Sequence, residues 1–526
     1  MEFDYIIIGG GSAGCVMASR LSENPAYSVL LIEAGSQDKH PLYHWPAGFA
    51  KMTKGIGSWG WDTVPQRHMQ RKIFRFTQAK VMGGGSTINA QIYTRGARQD
   101  YDEWRQLGCV GWSYDDVLPY YKKSEDNDSF DDAYHATGGP LAVSQPRAPL
   151  PVCDAFFDAA AELGIPRNFD MSGQAQDGVG FYQLTQRDAR RCSSAKAYLS
   201  HARHRKNLQI LTDSQVKRLY LIDGRASHVE MQNGDLHKAR AEIILSCGAV
   251  GTPRLLQLSG IGDSECLKQA GIEPVLHLPE IGKNFQDHLD LYCIAELSGH
   301  HSYDKYANPF YAAAALIRYL LTRTGPVASS LFETGGFWYV DHAARSPDVQ
   351  MHLGLGTGIE HGVVAMPTGG ITLNSCYLRP RSRGTVLLAG PHLSQAPLID
   401  PNYLADEHDR AMSIAGLKLT QKILGAKALA PFIRQEQLPG PDVISDEAYF
   451  AYICQHSKTS HHAAGTARMG ADKASVVDVR LRVRGVDGLR IVDNSIMPQL
   501  ISSNTNAAAM MIAEKASDMM KADQRS

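Results

Sequence analysis

Apolar runs and helical spacing alternate from the start of the chain. Residues 3–8 hold Tyr5-Ile6-Ile7-Ile8 and break at once into Gly9-Gly10-Gly11-Ser12-Ala13-Gly14. A short continuous apolar run closed by glycines is the pattern of a strand buried on both faces. Residues 15–21 repeat apolar positions at helical spacing and residues 28–32 return to strand character, so strand, Gly-rich turn, helix and strand follow in order. Far downstream, residues 241–247 and 489–492 are rich in β-branched and apolar types and predict further strands of the same sheet. Residues 349–355 and 370–378 alternate instead, the period of antiparallel strands with one face on a core. The alanine- and methionine-rich residues 507–520 predict a helix, with Asn504 and Asn506 in range to cap it. The most apolar remaining stretch, residues 311–321, is interrupted by Arg318 and is shorter than the ~18 residues a membrane span needs.

Composition narrows the class. At 526 residues the chain suits more than one domain, and 44% hydrophobic against 20% charged residues suffices for a large core. Lys+Arg of 53 against Asp+Glu of 54 gives a net charge of -1, so no global field attracts nucleic acid or an anionic membrane. A small-molecule partner is expected. The nine cysteines include no C-x-x-C pair, which argues against a disulfide framework or a zinc site, so no metal is expected. No basic segment precedes an apolar leader. A cytoplasmic location follows, compatible with peripheral contact at the inner membrane but not with a span. No internal repeat or low-complexity linker is visible.

The first chemistry lies in the opening turn. Gly9-x-Gly11-x-x-Gly14 follows a strand and opens a helix, and Glu33-Ala34 closes the next strand. Gly9 allows the tight turn, Gly11 and Ser12 bring the backbone to a pyrophosphate, and Gly14 allows close helix packing. Glu33 is placed to accept from a ribose 2′-hydroxyl, and its charge disfavours a 2′-phosphate. NAD and FAD both remain open on this unit alone, as does a nucleotide-binding regulatory role.

Two further segments separate these readings. Ala79-Lys80-Val81-Met82-Gly83-Gly84-Gly85-Ser86-Thr87-Ile88-Asn89 is a second Gly-rich turn, and Gly248-Ala249-Val250-Gly251-Thr252-Pro253 runs on to Ser259-Gly260-Ile261-Gly262. Together they resemble the two signatures of the glucose–methanol–choline (GMC) oxidoreductase family, with Met82 as an adaptable apolar substitute. Gly282-Lys283-Asn284-Phe285-Gln286-Asp287-His288 is similar to a third family stretch, and His462-Ala463-Ala464-Gly465-Thr466-Ala467-Arg468-Met469-Gly470 to a fourth. The pattern looks nearest to choline, aliphatic-alcohol and polyethylene glycol dehydrogenases and hydroxymethylfurfural oxidases.

The resemblance implies an α/β (α+β) fold: a Rossmann-like FAD-binding domain and a discontinuous substrate domain on a mainly antiparallel sheet. The expected division gives residues 1–154, 205–293 and 461–526 to the FAD-binding domain, and 155–204 and 294–460 to the substrate domain. It implies FAD held by Gly9, Gly11, Ser12, Gly14, Glu33, Ala34, Gly83, Gly84, Ser86, Asn89, Val216 and Asp493. Attachment is expected to be non-covalent, because Ile88 stands where some choline-oxidising relatives carry a tethering histidine. His462 falls on the family's catalytic histidine, with His461 a packing or solvent-facing neighbour, and Asn506 on its second active-site position. The implied reaction oxidises an alcohol, expected to be primary, to the aldehyde: His462 takes the hydroxyl proton while hydride passes to flavin N5, and oxygen or a quinone or dye accepts the electrons. A hydroxynitrile-lyase-type reaction on the same fold is the alternative. Glu333 is either a counter-charge to a cationic substrate or an exposed structural carboxylate. The alcohol, the acceptor and the oligomeric state stay open.

Overall fold

The opening strand, Glu2–Ile8, is central in a seven-stranded sheet because its apolar side chains are covered on both faces; Ile6 and Ile7 are fully buried. Its neighbours are Val29–Ile32 on one side and Leu236–Leu245 on the other, both parallel to it, with Ile6 in register with Leu30 and with Ile243. The computed structural model describes residues 1–53, 55–299 and 301–523. Leu208–Leu211 extends the parallel part beyond Val29–Ile32, and Leu489–Ile491 joins Leu236–Leu245 from far along the chain. Arg225–Met231 and Val216–Ile222 close the sheet as an antiparallel hairpin. The helices Ser12–Leu21 and Asn506–Asp523 pack together beside this sheet and share its core.

A second seven-stranded sheet is wholly antiparallel. Its order is Ile433–Leu438, Leu289–Leu297, Gly370–Tyr377, Val349–Gly354, Thr334–Trp338 and Gly178–Phe181, with Ser457–Thr459 also paired to Leu289–Leu297. The alternating segments at 349–355 and 370–378 are thus adjacent strands, and the sheet carries its own core with Phe156, Leu353 and Leu417.

Three expected boundaries fall inside elements or cores. Helix Pro151–Glu162 spans 154/155, and its Val152, Cys153 and Phe156 sit in the core of the second sheet. Cys192, Ala195, Tyr198 and Ala202, expected with the second sheet, belong to the core of the first. Strand Leu289–Leu297 begins before residue 294. Hydrophobic pattern shows that a side chain is buried; it does not show which of two cores receives it.

The apolar stretch at 311–321 lies in helix Pro309–Thr322, which buries only Ala315 and Tyr319 and exposes Phe310, Ile317 and Leu321. Among the described residues no helix is long and apolar enough to cross a membrane.

Candidate active site

The first Gly-rich turn is shaped by contacts that leave no room for a side chain. Gly9 has φ +100°, and a Cβ there would stand 2.4 Å from the Ser246 carbonyl oxygen. A Cβ on Gly14 would stand 1.9 Å from the Gly9 carbonyl oxygen, so the helix starts pressed against the strand that feeds it. Gly11 differs: the nearest atom to its Cβ position is 3.8 Å away, and the residue lines a cavity. Gly11 also provides no side-chain cap to the Ser12–Leu21 helix, whose first amides therefore face the cavity ready for an anion.

Glu33 lies at the edge of this turn. Its Oε2 accepts from the Gly10 amide at 2.8 Å and its Oε1 from the Gly35 amide at 2.7 Å. Burial pushes the carboxyl up to about 7 against the pull of those two amides. Each carboxylate oxygen keeps a second lone pair for a hydroxyl donor, and Glu33, Ala34 and Val216 line the same cavity.

The second Gly-rich turn closes on the first. The Gly83 amide donates to the Gly10 carbonyl at 2.7 Å, and a Cβ on Gly84 would stand 2.6 Å from the Gly11 Cα. Gly84 and Asn89 line the cavity, whereas Gly14, Gly83 and Ser86 shape the turns behind it; Ser86 Oγ donates to the Gly83 carbonyl at 2.6 Å. Asn89 Oδ1 accepts from Arg191, a buried residue that no sequence motif singled out, at 2.7 Å. Asp493 accepts from the Gly248 amide at 2.9 Å and the Thr252 hydroxyl at 2.6 Å, which fixes the start of helix Gly248–Leu258 on the cavity wall.

At the other end of the same cavity stands His462. Its backbone amide donates to Asp287 Oδ1 at 2.7 Å, and Asp287 Oδ2 is held by the hydroxyls of Thr459, at 2.5 Å, and Tyr403. The ring is fixed by contacts that also assign its protons. His288 Nε2 lies 3.0 Å from the Leu378 carbonyl, which can only accept, so Nε2 carries the hydrogen and His288 Nδ1 is a lone pair. His462 Nδ1, 2.9 Å from that lone pair, must then be the donor. This leaves His462 Nε2 unprotonated, accepting from Asn504 Nδ2 at 3.1 Å. Burial lowers the basicity of all the rings here: His288 falls to about 4, and His462 lies well below its ordinary value, helped by neighbouring His288, His352, His461 and Lys458. The imidazole is neutral and presents a lone pair.

The side-chain contacts bear on three expectations. Asn504, not Asn506, touches His462; Asn504 Oδ1 in turn accepts from Gln350 Nε2 at 2.9 Å. Asn506, the first residue of the terminal helix, accepts from Ser12 Oγ at 2.7 Å and so ties that helix to the nucleotide turn. The two asparagines lie on either side of the bend into the helix, and the bend sends their side chains to different ends. Second, His461 takes the packing alternative: its backbone is left-handed at φ 60°, its ring meets Phe76 edge-on at 6.1 Å, and it lines the cavity beside His462. Third, Glu333 is neither exposed nor a lining residue; it is fully buried, accepts from the Ser330 amide at 3.3 Å, and its carboxyl is pushed up to about 7 by burial.

Residues 3–290 match the N-terminal model of the GMC oxidoreductases, and residues 380–513 the C-terminal model. The chain belongs to the GMC oxidoreductase family. Alcohol dehydrogenase (acceptor) of Pseudomonas putida is 40% identical, over 98% of this chain and 95% of its own length. Mitochondrial choline dehydrogenase of Homo sapiens is 37% identical, over 99% and 90%. The crystal structure of pyridoxine 4-oxidase from Mesorbium loti matches with a TM-score of 0.90 at 32% identity, covering 99% of both chains. This GMC oxidoreductase uses FAD and acts on CH–OH donors. Its residues fit that cofactor: the open face of Gly11, the uncapped helix start beside it and the spare lone pairs of Glu33 form one continuous cavity with His462.

Proposed function

We propose that this GMC oxidoreductase converts a primary alcohol to its aldehyde at His462 and Asn504, with His462 Nε2 as the base. The observation that carries the reading is the hydrogen-bond chain along Leu378, His288, His462 and Asn504, whose proton order leaves His462 Nε2 unprotonated next to the Asn504 amide. A substrate hydroxyl entering there replaces the contact between Asn504 and His462. Its proton goes to His462 Nε2, and its oxygen accepts from the Asn504 amide as negative charge builds on it. The imidazolium that results keeps its Nδ1 hydrogen on His288, whose lone pair offsets part of the new charge. FAD, when bound, would supply the hydride acceptor, with oxygen or a quinone as the final electron acceptor. The neutral form of His462 is favoured by burial before the substrate arrives, so the base is ready at neutral pH. Anaerobic bleaching of the flavin by a panel of primary alcohols tests the reading; a flavin that stays oxidised with every alcohol sinks it.

FAD is held in this reading without a covalent bond. Ile88 lines the cavity directly before Asn89 and offers no nucleophile for a flavin tether. Acid precipitation is expected to leave the yellow colour in the supernatant; colour that stays with the protein pellet refutes the assignment.

Glu33 is proposed to hold the adenosine ribose. Glu33→Ala removes charge-assisted hydrogen bonds worth about 1.5–3 kcal/mol each and also frees the Gly10 and Gly35 amides. FAD is expected to dissociate at least about tenfold more readily, the equivalent of ~1.4 kcal/mol. An unchanged dissociation constant in a flavin fluorescence titration contradicts the role.

A further inference from the structure

The cavity wall contributed by the antiparallel sheet is polar. Asp290 from Leu289–Leu297, His352 from Val349–Gly354, Asn374 from Gly370–Tyr377 and Lys458 from Ser457–Thr459 all line the cavity, and Glu360 joins them from a loop. Strand register sets Asp290 opposite Lys458 and His352 opposite Asn374. Asp290 is 2% exposed, Asn374 1% and Lys458 7%, so water contributes little to their solvation. Lys458 Nζ bridges Asp290 Oδ2 and Glu360 Oε2, the latter at 2.9 Å, and Asn374 Nδ2 donates to Asp290 Oδ2 at 3.0 Å.

Two features of this wall point to a ligand. Two carboxylates share one ammonium, which leaves one formal negative charge in excess. Among the described residues, Asp290 Oδ1, Asn374 Oδ1 and His352 Nε2 also have no hydrogen-bond partner. Each buried unpaired polar atom costs about 1–3 kcal/mol, and such atoms beside a ligand cavity are docking points for groups the ligand brings. A hydrocarbon tail would leave them unpaired, a carboxylate would meet charge of its own sign, and a quaternary ammonium has no N–H to offer.

We propose that this wall recognises a protonated nitrogen bearing N–H groups, with Asp290 Oδ1 and Asn374 Oδ1 as acceptors and the excess charge of Asp290 and Glu360 as counter-charge. The substrates are then alcohols that carry such a nitrogen away from the carbinol carbon, namely amino alcohols and aminomethyl-substituted aryl alcohols. The naming of substrates rests on the reading of His462 and Asn504 as the oxidising end; the recognition of the cation does not.

The holoenzyme is titrated with benzylamine, anisole and benzoate, which carry no alcohol, while the flavin absorption spectrum is followed. Flavin reduction is then measured anaerobically with 4-(aminomethyl)benzyl alcohol, benzyl alcohol and 4-(hydroxymethyl)benzoate. Benzylamine is expected to bind at least about tenfold more tightly than anisole or benzoate, a difference of ~1.4 kcal/mol, and 4-(aminomethyl)benzyl alcohol to half-saturate reduction at a correspondingly lower concentration than the other two alcohols. In Glu360→Gln and in Asp290→Asn, compared at matched FAD content, the ratio between amine and neutral ligand is expected to fall toward one. Equal binding of the three ligands by the unmodified enzyme overturns the proposal, as does a ratio that survives both substitutions. Selective benzylamine binding without bleaching by any alcohol supports the wall's role and removes the alcohol-oxidation reading instead.

Discussion

His462→Ala is expected to slow anaerobic flavin reduction by about 10²- to 10⁴-fold, the range for loss of a positioned general base, while the protein keeps its full complement of FAD. The argument is geometric before it is electrostatic. The side chain is fixed from both sides: Asp287 holds its backbone amide and His288 takes its Nδ1 hydrogen. Alanine keeps the first contact and loses the second, so the loop survives without the base. The nucleotide turns lie at the other end of the cavity and rest on Gly9, Gly14 and Glu33, which supports retention of cofactor. His461→Ala is the necessary comparison, because it removes an adjacent cavity-lining imidazole whose packing partner is Phe76 and which has no bond to Asn504 or His288. Its effect is expected to be far smaller. Stopped-flow reduction at saturating alcohol and equal FAD content decides between them, and a fast His462→Ala beside a slow His461→Ala assigns the base to the wrong ring.

The parts of this molecule legible in its sequence are those encoded over a few consecutive residues. The opening strand, its Gly-rich turn and the helix after it are continuous in the chain, and the glycines have steric reasons to be there; Gly14, where a Cβ would stand 1.9 Å from the Gly9 carbonyl oxygen, is the clearest. The alternating segments at 349–355 and 370–378 likewise revealed antiparallel strands, because period-two alternation of apolar and polar residues is a local signal, although both strands are buried throughout, with His352 and Asn374 lining the cavity. What stayed hidden depends on long-range assembly. Tyr198 and Ala202 look like any buried helical residues, yet join the first core rather than the second. Arg191 meets Asn89 across a hundred residues of chain. His288 stood inside a quoted motif, but its effect on the protons of His462 needed the Leu378 carbonyl, which nothing local connects to it.

Asn504 and Asn506 show the same limit within three residues, and their contrast gives the second large expected effect. Asn504→Ala is expected to slow flavin reduction by about 10²- to 10³-fold, the usual loss when one donor to a developing oxyanion is removed. Asn506→Ala is expected to act on the cofactor end. Both asparagines line the cavity and both precede or begin the terminal helix, so sequence position alone ranks them equally. Their partners do not. Asn504 donates to His462 Nε2, the atom proposed to take the substrate proton, and is itself oriented by Gln350 and by the Thr94 hydroxyl at 3.2 Å. Asn506 accepts from Ser12, the first residue of the helix that faces the dinucleotide. Removing Asn506 therefore frees a hydroxyl at the pyrophosphate end and weakens FAD retention without taking a donor from the substrate oxygen. The two variants are separated by measuring FAD dissociation and the reduction rate at matched FAD occupancy. Asn504→Ala should keep its flavin and lose rate, and Asn506→Ala should lose flavin more readily and keep rate per bound FAD. The opposite pattern returns the substrate-facing role to Asn506 and overturns the geometry proposed for the oxidising end.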